Sequence, residues 1–404
     1  MGTLRRSRLT ARGAGLAATG TVGVVGGTLL GVPVLAQVGL LLVLTVVAAV
    51  VWLVVEVDAE HHGRLRAVRR VPAWVQAGVA ATVRVEVTAA RSRRVERLAV
   101  SERASAELSG GAALRARVTR SPGRLELTYQ IRPRRRGRWP LGPLEVRRQD
   151  PFGVVRWRGP LGAPALVAVR PVVAALDRAS WSASAEADQA AAGSRRPATD
   201  DAALREYLPG DDLRRVHWAS SARRGSLVVR QDERAARRPV SVLLELSPRD
   251  EVTEWIISAG ASIVVALAEA GHSVRLLGGG GHAVGDTDAL LDHAVDLVRP
   301  VDDAAAARWL AEAVGDLTSM ADGAGPTGAG LVVAVLGPQP AESLLRLGTT
   351  PGWALVTGSE RDPDAAGRTA TALVRAGWTA VTVDVGQDVA TAWHRLSQGL
   401  GGAR

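Results

Sequence analysis

Hydrophobic and polar positions divide this chain into segments of different character. From residue 13 to residue 55 no charged side chain occurs. Such a run is too long for one ordinary membrane span and long enough for two. Pro33, with Gly31 just before it, interrupts the run, so the pattern predicts one helix over about 14–31 and a second over about 34–55. Gly23, Gly27 and Gly31 recur every fourth residue and would line one face, allowing close contact between helices. Trp52 falls near one end of the second helix, where an interfacial aromatic belongs. Arg5, Arg6, Arg8 and Arg12 precede the first helix, and Arg64, Arg66, Arg69 and Arg70 follow the second. With basic residues at both outer ends and none in the turn, residues 1–63 read as an N-terminal tail and a transmembrane helical hairpin. Both ends, and the large C-terminal body, would be cytoplasmic, giving a multi-pass protein of the cell membrane. A cleaved signal peptide ending near Val34-Leu35-Ala36 is the rival reading.

Beyond the apolar run the periodicity changes twice. Residues 64–176 alternate apolar and polar positions, as in 79–87, 125–131 and 144–147, with turn residues between. Short strands at such spacing predict a small all-β sandwich. Within it, the run from Arg132 to Arg138 is either a solvated loop or, near a membrane, a contact for anionic headgroups. Residues 177–203 are rich in Ala, Ser and Asp without apolar periodicity and read as a linker. From 240 to 404 strand and helix patterns alternate. Strands are expected at 240–246, 273–277, 331–336, 353–357 and 380–385. Helices are expected at 254–270, 287–298, 304–319, 341–347, 363–376 and 388–398. This is the signature of a doubly wound, mostly parallel α/β sheet, whose binding sites lie at the carboxyl ends of its strands.

Between the β and α/β segments, residues 204–239 carry the densest local pattern. Leu208-Pro209-Gly210-Asp211 predicts a tight turn, and 226–230 predicts a strand. The string Arg205, Tyr207, Pro209, Gly210, Asp211, Asp212, Arg214, His217, Trp218, Ser221, Ala222 and Arg223 resembles the signature of the bacterial family catalogued as domain of unknown function 58. Two upstream stretches, 134–143 and Asp150-Pro151-Phe152-Gly153, strengthen the resemblance. The resemblance implies a membrane-anchored protein with a von Willebrand factor A-like domain, associated with a MoxR-type AAA+ ATPase. Domains of that kind hold a divalent metal with Asp-x-Ser-x-Ser after the first strand. Here the same place reads Glu245, Ser247 and Arg249. A hard cation wants converging oxygens, and a guanidinium in that shell repels it or takes its place. No cofactor is therefore expected, and metal at Glu245 and Ser247 is disfavoured.

Composition narrows the function classes. The chain has no cysteine, which removes disulfides, thiolate metal sites and cysteine nucleophiles. It has no lysine, so all 50 basic residues are arginine and a P-loop is excluded. Codon bias alone can raise the arginine count, so the net charge of +10 is no sign of nucleic-acid binding. Its distribution says more. Residues 71–176 carry 20 Arg against 7 acidic residues, whereas residues 240–404 carry 10 Arg against 20. Opposite signs in two segments imply attraction within the chain or two different partners. Seven histidines lie at 61, 62, 217, 272, 282, 293 and 394, and apart from the adjacent His61-His62 none shows metal-ligand spacing. The glycine run 278–281 is expected to be a flexible turn, and aromatics at 3% are too few for a single-strand nucleic-acid platform.

These readings lead to a non-enzymatic, membrane-tethered interaction module that partners a MoxR-type ATPase and the lipid bilayer. The charged residues of 204–233 then form an ion-pair seam or a docking surface, with His217 and Trp218 as a core pair or an interface anchor. The second hypothesis is an enzyme or assembly factor of the cell envelope using Asp211, Asp212 and His217. The third is binding of anionic lipid or nucleic acid through the basic β-domain.

Overall fold

The computed structural model of the chain describes residues 7–61, 65–89, 98–112, 114–177, 204–206, 218–230, 240–323, 330–340, 343, 352–359 and 362–401. The chain divides into two units, Met1–Arg170 and Pro171–Arg404.

The first unit begins with a short strand, β1 (Ser7–Leu9), followed at once by α1 (Ala11–Leu29). Thr10 caps α1, its hydroxyl accepting from the Gly13 N–H at 3.1 Å. After a turn in which Gly31 takes φ 66°, Pro33 opens α2 (Pro33–His61) at the position where its missing N–H costs nothing. The two helices run in opposite directions against each other, with glycine at the contact. A Cβ on Gly27 would lie 2.4 Å from the Ala36 nitrogen, and one on Gly39 would lie 2.5 Å from the Val24 nitrogen. Gly20 meets Leu42 and Val43, and Gly23 meets Gly39. The contact glycines are thus 20, 23, 27 and 39, while Gly31 serves the turn and not the face. The stretch Pro33–Val57 of α2 is long and apolar enough to cross a membrane, a measure that glycine-diluted α1 falls short of and that the largely buried helix Asp250–Glu269 of the second unit also meets.

Two sheets follow and share one core. The first is four-stranded and antiparallel, built from β2 (Leu65–Arg70), β4 (Ala81–Ala89), β6 (Ala116–Ser121) and β7 (Arg124–Ile131) in the order β2-β4-β7-β6. The second contains β3 (Val75–Gln76), β5 (Ala99–Ala104), β8 (Gly137–Gln149), β9 (Val155–Leu161) and β10 (Ala165–Arg170) in the order β1-β9-β8-β10-β3, with β5 also paired to β8. A single turn of helix, α3 (Ala106–Ser109), connects β5 to the next segment. The alternation read from the sequence becomes burial: Val83, Val85, Val87, Leu125, Leu127 and Ile131 meet Leu144, Val146, Val155, Trp157, Val167 and Val169. Each such side chain removed from water contributes about 1.5–3 kcal/mol. Ala49, Leu53 and Val57 of α2 join the same core, and Glu56 pairs with Arg148 at 3.2 Å. One buried ion pair ties the sheets together. Arg69 on β2 meets Glu102 on β5 at 2.6 Å and donates to the Ala163 carbonyl at 2.9 Å. Burial outweighs the arginine and holds the Glu102 carboxyl above its usual range. It also pushes the neighbouring Tyr129 hydroxyl up.

The second unit contains a short antiparallel pair, β11 (Leu204–Glu206) with β12 (Val228–Arg230), and α4 (Trp218–Arg224) between them in sequence. Its body is a six-stranded sheet of β13 (Val240–Leu244), β14 (Val274–Gly278), β15 (Gly281–Val284), β16 (Val332–Leu336), β17 (Gly352–Thr357) and β18 (Thr379–Val383). The order is β15-β14-β13-β16-β17-β18, parallel except for β15. Helices cover both faces. On one side α5 (Asp250–Glu269), α6 (Thr287–Asp296) and α9 (Val389–Gly401) pack over Val240, Val242 and Leu244. On the other, α7 (Asp303–Gly323) and α8 (Ala365–Arg375) pack over Leu243, Val332 and Ala334. Residues 172–176, grouped by sequence with the β-sandwich, pack here: the Ala174 N–H donates to Ser262 and Leu176 enters the core. The glycine run 278–281 is the tight β14–β15 turn, with positive φ at Gly278, Gly279 and Gly280.

The helix contact makes a differential prediction. Gly39→Leu drives a side chain into the α1 backbone and should destabilise the detergent-solubilised chain by about 1–3 kcal/mol. Gly26→Leu, where an added Cβ meets nothing within 4 Å, should leave the melting temperature nearly unchanged.

Candidate functional site

The reversal of strand order in the second unit lies between β13 and β16, the first and fourth strands of the sheet. Neighbouring strands send their following loops to opposite sides at such a point and leave a crevice at their carboxyl ends. A cavity of about 570 Å³ opens there, lined by the 245–249 loop, Asp302, Asp303, the 337–340 loop, and Thr357 to Ser359.

Glu245 is the first residue past β13 and projects into this cavity half-buried. Both of its oxygens are engaged by the loop after β16. The Gly337 N–H donates to Oε2 at 2.8 Å, and the Gln339 side-chain amide donates to Oε1 at 2.5 Å. Burial is nevertheless the largest influence. It pushes the Glu245 carboxyl up to about 7 against these two donors, with help from the nearby Asp303 charge. Gln339 is held in turn by Thr369, whose hydroxyl accepts from the Gln339 N–H at 2.9 Å.

Ser247 and Arg249 belong to the same loop. The Ser247 hydroxyl accepts the Arg249 N–H at 3.2 Å, and the Thr253 hydroxyl donates to the Ser247 carbonyl at 2.6 Å. Arg299 donates to the Pro248 carbonyl at 2.8 Å. The loop is thus fixed by its own bonds, and Arg249 occupies the N-cap position of α5. Asp302, across the cavity, caps α7 through the Ala305 N–H at 2.7 Å.

Sequence reasoning brought Glu245 and Ser247 to one strand end, and both line the cavity. It missed Gly337 and Gln339, because their role depends on which strand neighbours β13. The donor set suits a hard cation poorly. Glu245 already accepts two N–H bonds, Arg249 sits in the loop, and no cluster of three His, Asp or Glu side chains exists among the described residues.

The signature segment is brought together only in part. The Arg205 backbone lies in β11 opposite Val229, Trp218 is 66% exposed at the start of α4, Ser221 is buried and Arg223 is exposed. The exposure removes Trp218 from any core. Tyr207, Pro209, Gly210, Asp211, Asp212, Arg214 and His217 lie outside the described residues, as does the 178–203 part of the expected linker.

With this geometry in hand, known proteins add one specific finding. Residues 203–319 match the family model described as protein of unknown function DUF58. The match spans the signature segment and runs through β13, the cavity loop and α7. No curated protein matches the chain. Among solved structures, the crystal structure of the Lin-41 filamin domain matches at 15% identity, covering 26% of this chain and 91% of that one, with a TM-score of 0.16. The GspB Siglec domain matches at 13%, covering 35% and 84%, with a TM-score of 0.16. A thermostable esterase matches at 10%, covering 84% and 96%, with a TM-score of 0.25. Scores at this level carry no assignment of fold or activity.

The raised Glu245 carboxyl sets a pH dependence. Its folded value near 7 exceeds the usual 4.5, so between those values the folded chain holds a proton that the unfolded chain has lost. Stability falls as pH rises through that window. Thermal unfolding of wild type against Glu245→Gln should show the difference shifting by roughly 1–3 kcal/mol in favour of the variant from pH 4.5 to pH 7.5. A pH-independent difference rejects the assignment.

Proposed function

We propose that this chain is a membrane-anchored interaction module whose α/β unit docks a partner at the switch-point cavity. The carrying observation is the state of that cavity. Its carboxylate is engaged by protein donors and its loop carries Arg249. A polar crevice of this kind suits recognition of a partner segment better than bond-making.

Strand order supports a von Willebrand A-like reading of the unit. The sheet runs third-second-first-fourth-fifth-sixth, with the third strand antiparallel at the edge. The partner proposed on the signature resemblance of residues 204–233 is a MoxR-type AAA+ ATPase. The partner would engage through Arg249 and the surrounding loops instead of a shared metal.

The first unit supports the anchoring. Residues 7–9 pair with β9, and residues 65–70 enter the other sheet, so the chain leaves and rejoins the same body through α1 and α2. If α2 crosses the bilayer, α1 must cross it too as a spanning hairpin, and the arginines at its two outer ends favour the cytoplasmic side for the body. Cleavage near Ala36 would discard β1 and α1 and is disfavoured on that ground.

Tagged full-length chain extracted from native membranes with ATP present should recover a MoxR-type ATPase. Arg249→Glu should lose most of that recovery while circular dichroism shows the chain still folded. Failure to recover any ATPase, or equal recovery by the variant, overturns the reading. In spheroplasts, external protease should leave the body intact; its digestion overturns the topology.

A further inference from the structure

The turn between β8 and β9 is built as a rigid projection. Asp150, itself only 4% exposed, accepts N–H bonds from Phe152 at 3.1 Å, Val154 at 2.6 Å and Val155 at 3.0 Å. Those bonds and the positive φ of Gly153 fix the loop. At its tip Phe152, the chain's one phenylalanine, is 65% exposed. The turn thus holds this large apolar ring out to water at a fixed place.

The helices say what lies beside it. The Thr10 hydroxyl donates to the Gly153 carbonyl at 2.6 Å, and the Thr10 N–H donates to the Val154 carbonyl at 2.9 Å. A Cβ on Gly13 would strike the Val154 oxygen. The tip therefore stands at the first turn of α1. Gly20 facing Leu42, Gly23 facing Gly39 and Gly27 facing Ala36 define the antiparallel register. Continued downwards, that register brings Gly13 to the level of Ala49 and Thr10 to that of Trp52. From this level α1 rises to Leu29, and α2 rises to Pro33, by about 28 Å each, close to the roughly 30 Å of a hydrocarbon core. Trp52 and Phe152 thus share one level, where the hydrocarbon would end.

Charge at this level points the same way. Arg8 on β1 stands directly opposite Arg156 on β9, and both are exposed, as is Arg12. Like charges facing each other across an antiparallel pair are unfavourable, and an anion between them would relieve the repulsion. Neither arginine makes an ion pair among the described residues. The run Arg132 to Arg138 lies at the opposite end of β8 from this turn.

We propose that the β8–β9 turn and the β1 edge rest on an anionic lipid surface, with Phe152 in the interfacial layer and Arg8, Arg12 and Arg156 on lipid phosphates. The proposal rests on the membrane-anchored reading of α1 and α2. Guanidinium groups suit phosphate through their forked donors, and an apolar Phe ring gains by entering the boundary between headgroups and acyl chains.

A chain without cysteine makes the test clean. Single cysteines at Phe152→Cys, Leu41→Cys and Val79→Cys, each at an exposed position, would be spin-labelled in the full chain. The chain would be reconstituted in vesicles of phosphatidylcholine and phosphatidylglycerol. Collision with oxygen and with a water-soluble nickel chelate reports depth. The expected result is a deep label at 41, an aqueous label at 79, and at 152 an oxygen-to-nickel ratio several-fold above that at 79. A deep label at 41 with an aqueous label at 152 overturns this proposal alone. An aqueous label at 41 overturns the membrane reading and this proposal with it.

Discussion

Backbone pairing between β1 and β9 is the constraint on which the first unit depends. Three residues of extended chain, Ser7–Leu9, tie the start of α1 to the edge of a sheet, and Thr10 closes the junction with two bonds to the β8–β9 turn. The starting level of α1 is thereby set by the β unit and not by the helix itself. The glycine contacts then transfer that level to α2, because a backbone-to-backbone approach tolerates no sliding. Finally Leu53, Val57 and the Glu56–Arg148 pair return α2 to the shared core. Pairing, helix contact and core form a closed loop of constraints, so the start of α1 and the end of α2 are both fixed to the β unit.

The second unit depends on a different device. A doubly wound sheet leaves its crevice wherever strand order reverses, whatever chemistry occupies it. Here the crevice is partly closed by the chain itself, since Gln339 and the Gly337 N–H reach back from the fourth strand to the carboxylate after the first. That bridge joins the loop after β13 to the loop after β16. The raised Glu245 carboxyl is the energetic trace of this arrangement. Burial is carried by a group that two donors satisfy but do not fully compensate.

Much of this was legible in the sequence, and the failures have physical reasons. Pro33 marked the break between the helices, the alternation at 79–87 marked β4, and the apolar run at 240–246 marked β13. In each case the local pattern and the tertiary environment ask for the same residue types. Glu245 and Ser247 were legible because a strand's end is local information. Gln339 was not, because its partner is set by sheet order, which no local period encodes. β1 was invisible for a related reason: three residues in a basic stretch have no periodicity, and the strand exists only because an edge of β9 receives it. Trp218 was read as a core or anchor side chain on residue type alone, and its exposure leaves only the surface option. The segment most specific in sequence, 204–233, is the one whose charges the described structure locates least.

Arginine shows why composition and position must be weighed separately. A chain without lysine uses one cation everywhere, so codon bias can account for the number of arginines but not for their uses. Several are internal ties. Arg148 joins α2 to the second sheet through Glu56, Arg120 donates to the Leu98 carbonyl, and Arg124 on β7 pairs with Glu86 on β4. Such groups add to the formal charge of residues 71–176 while offering little free charge to a partner. A surplus of 20 against 7 therefore overstates the field available to a polyanion. What remains distinctive is opposed pairs such as Arg8 and Arg156, where two exposed guanidinium groups face each other across a ladder. In the fold these carry more information than the total, because a fixed register sets two forked cations side by side.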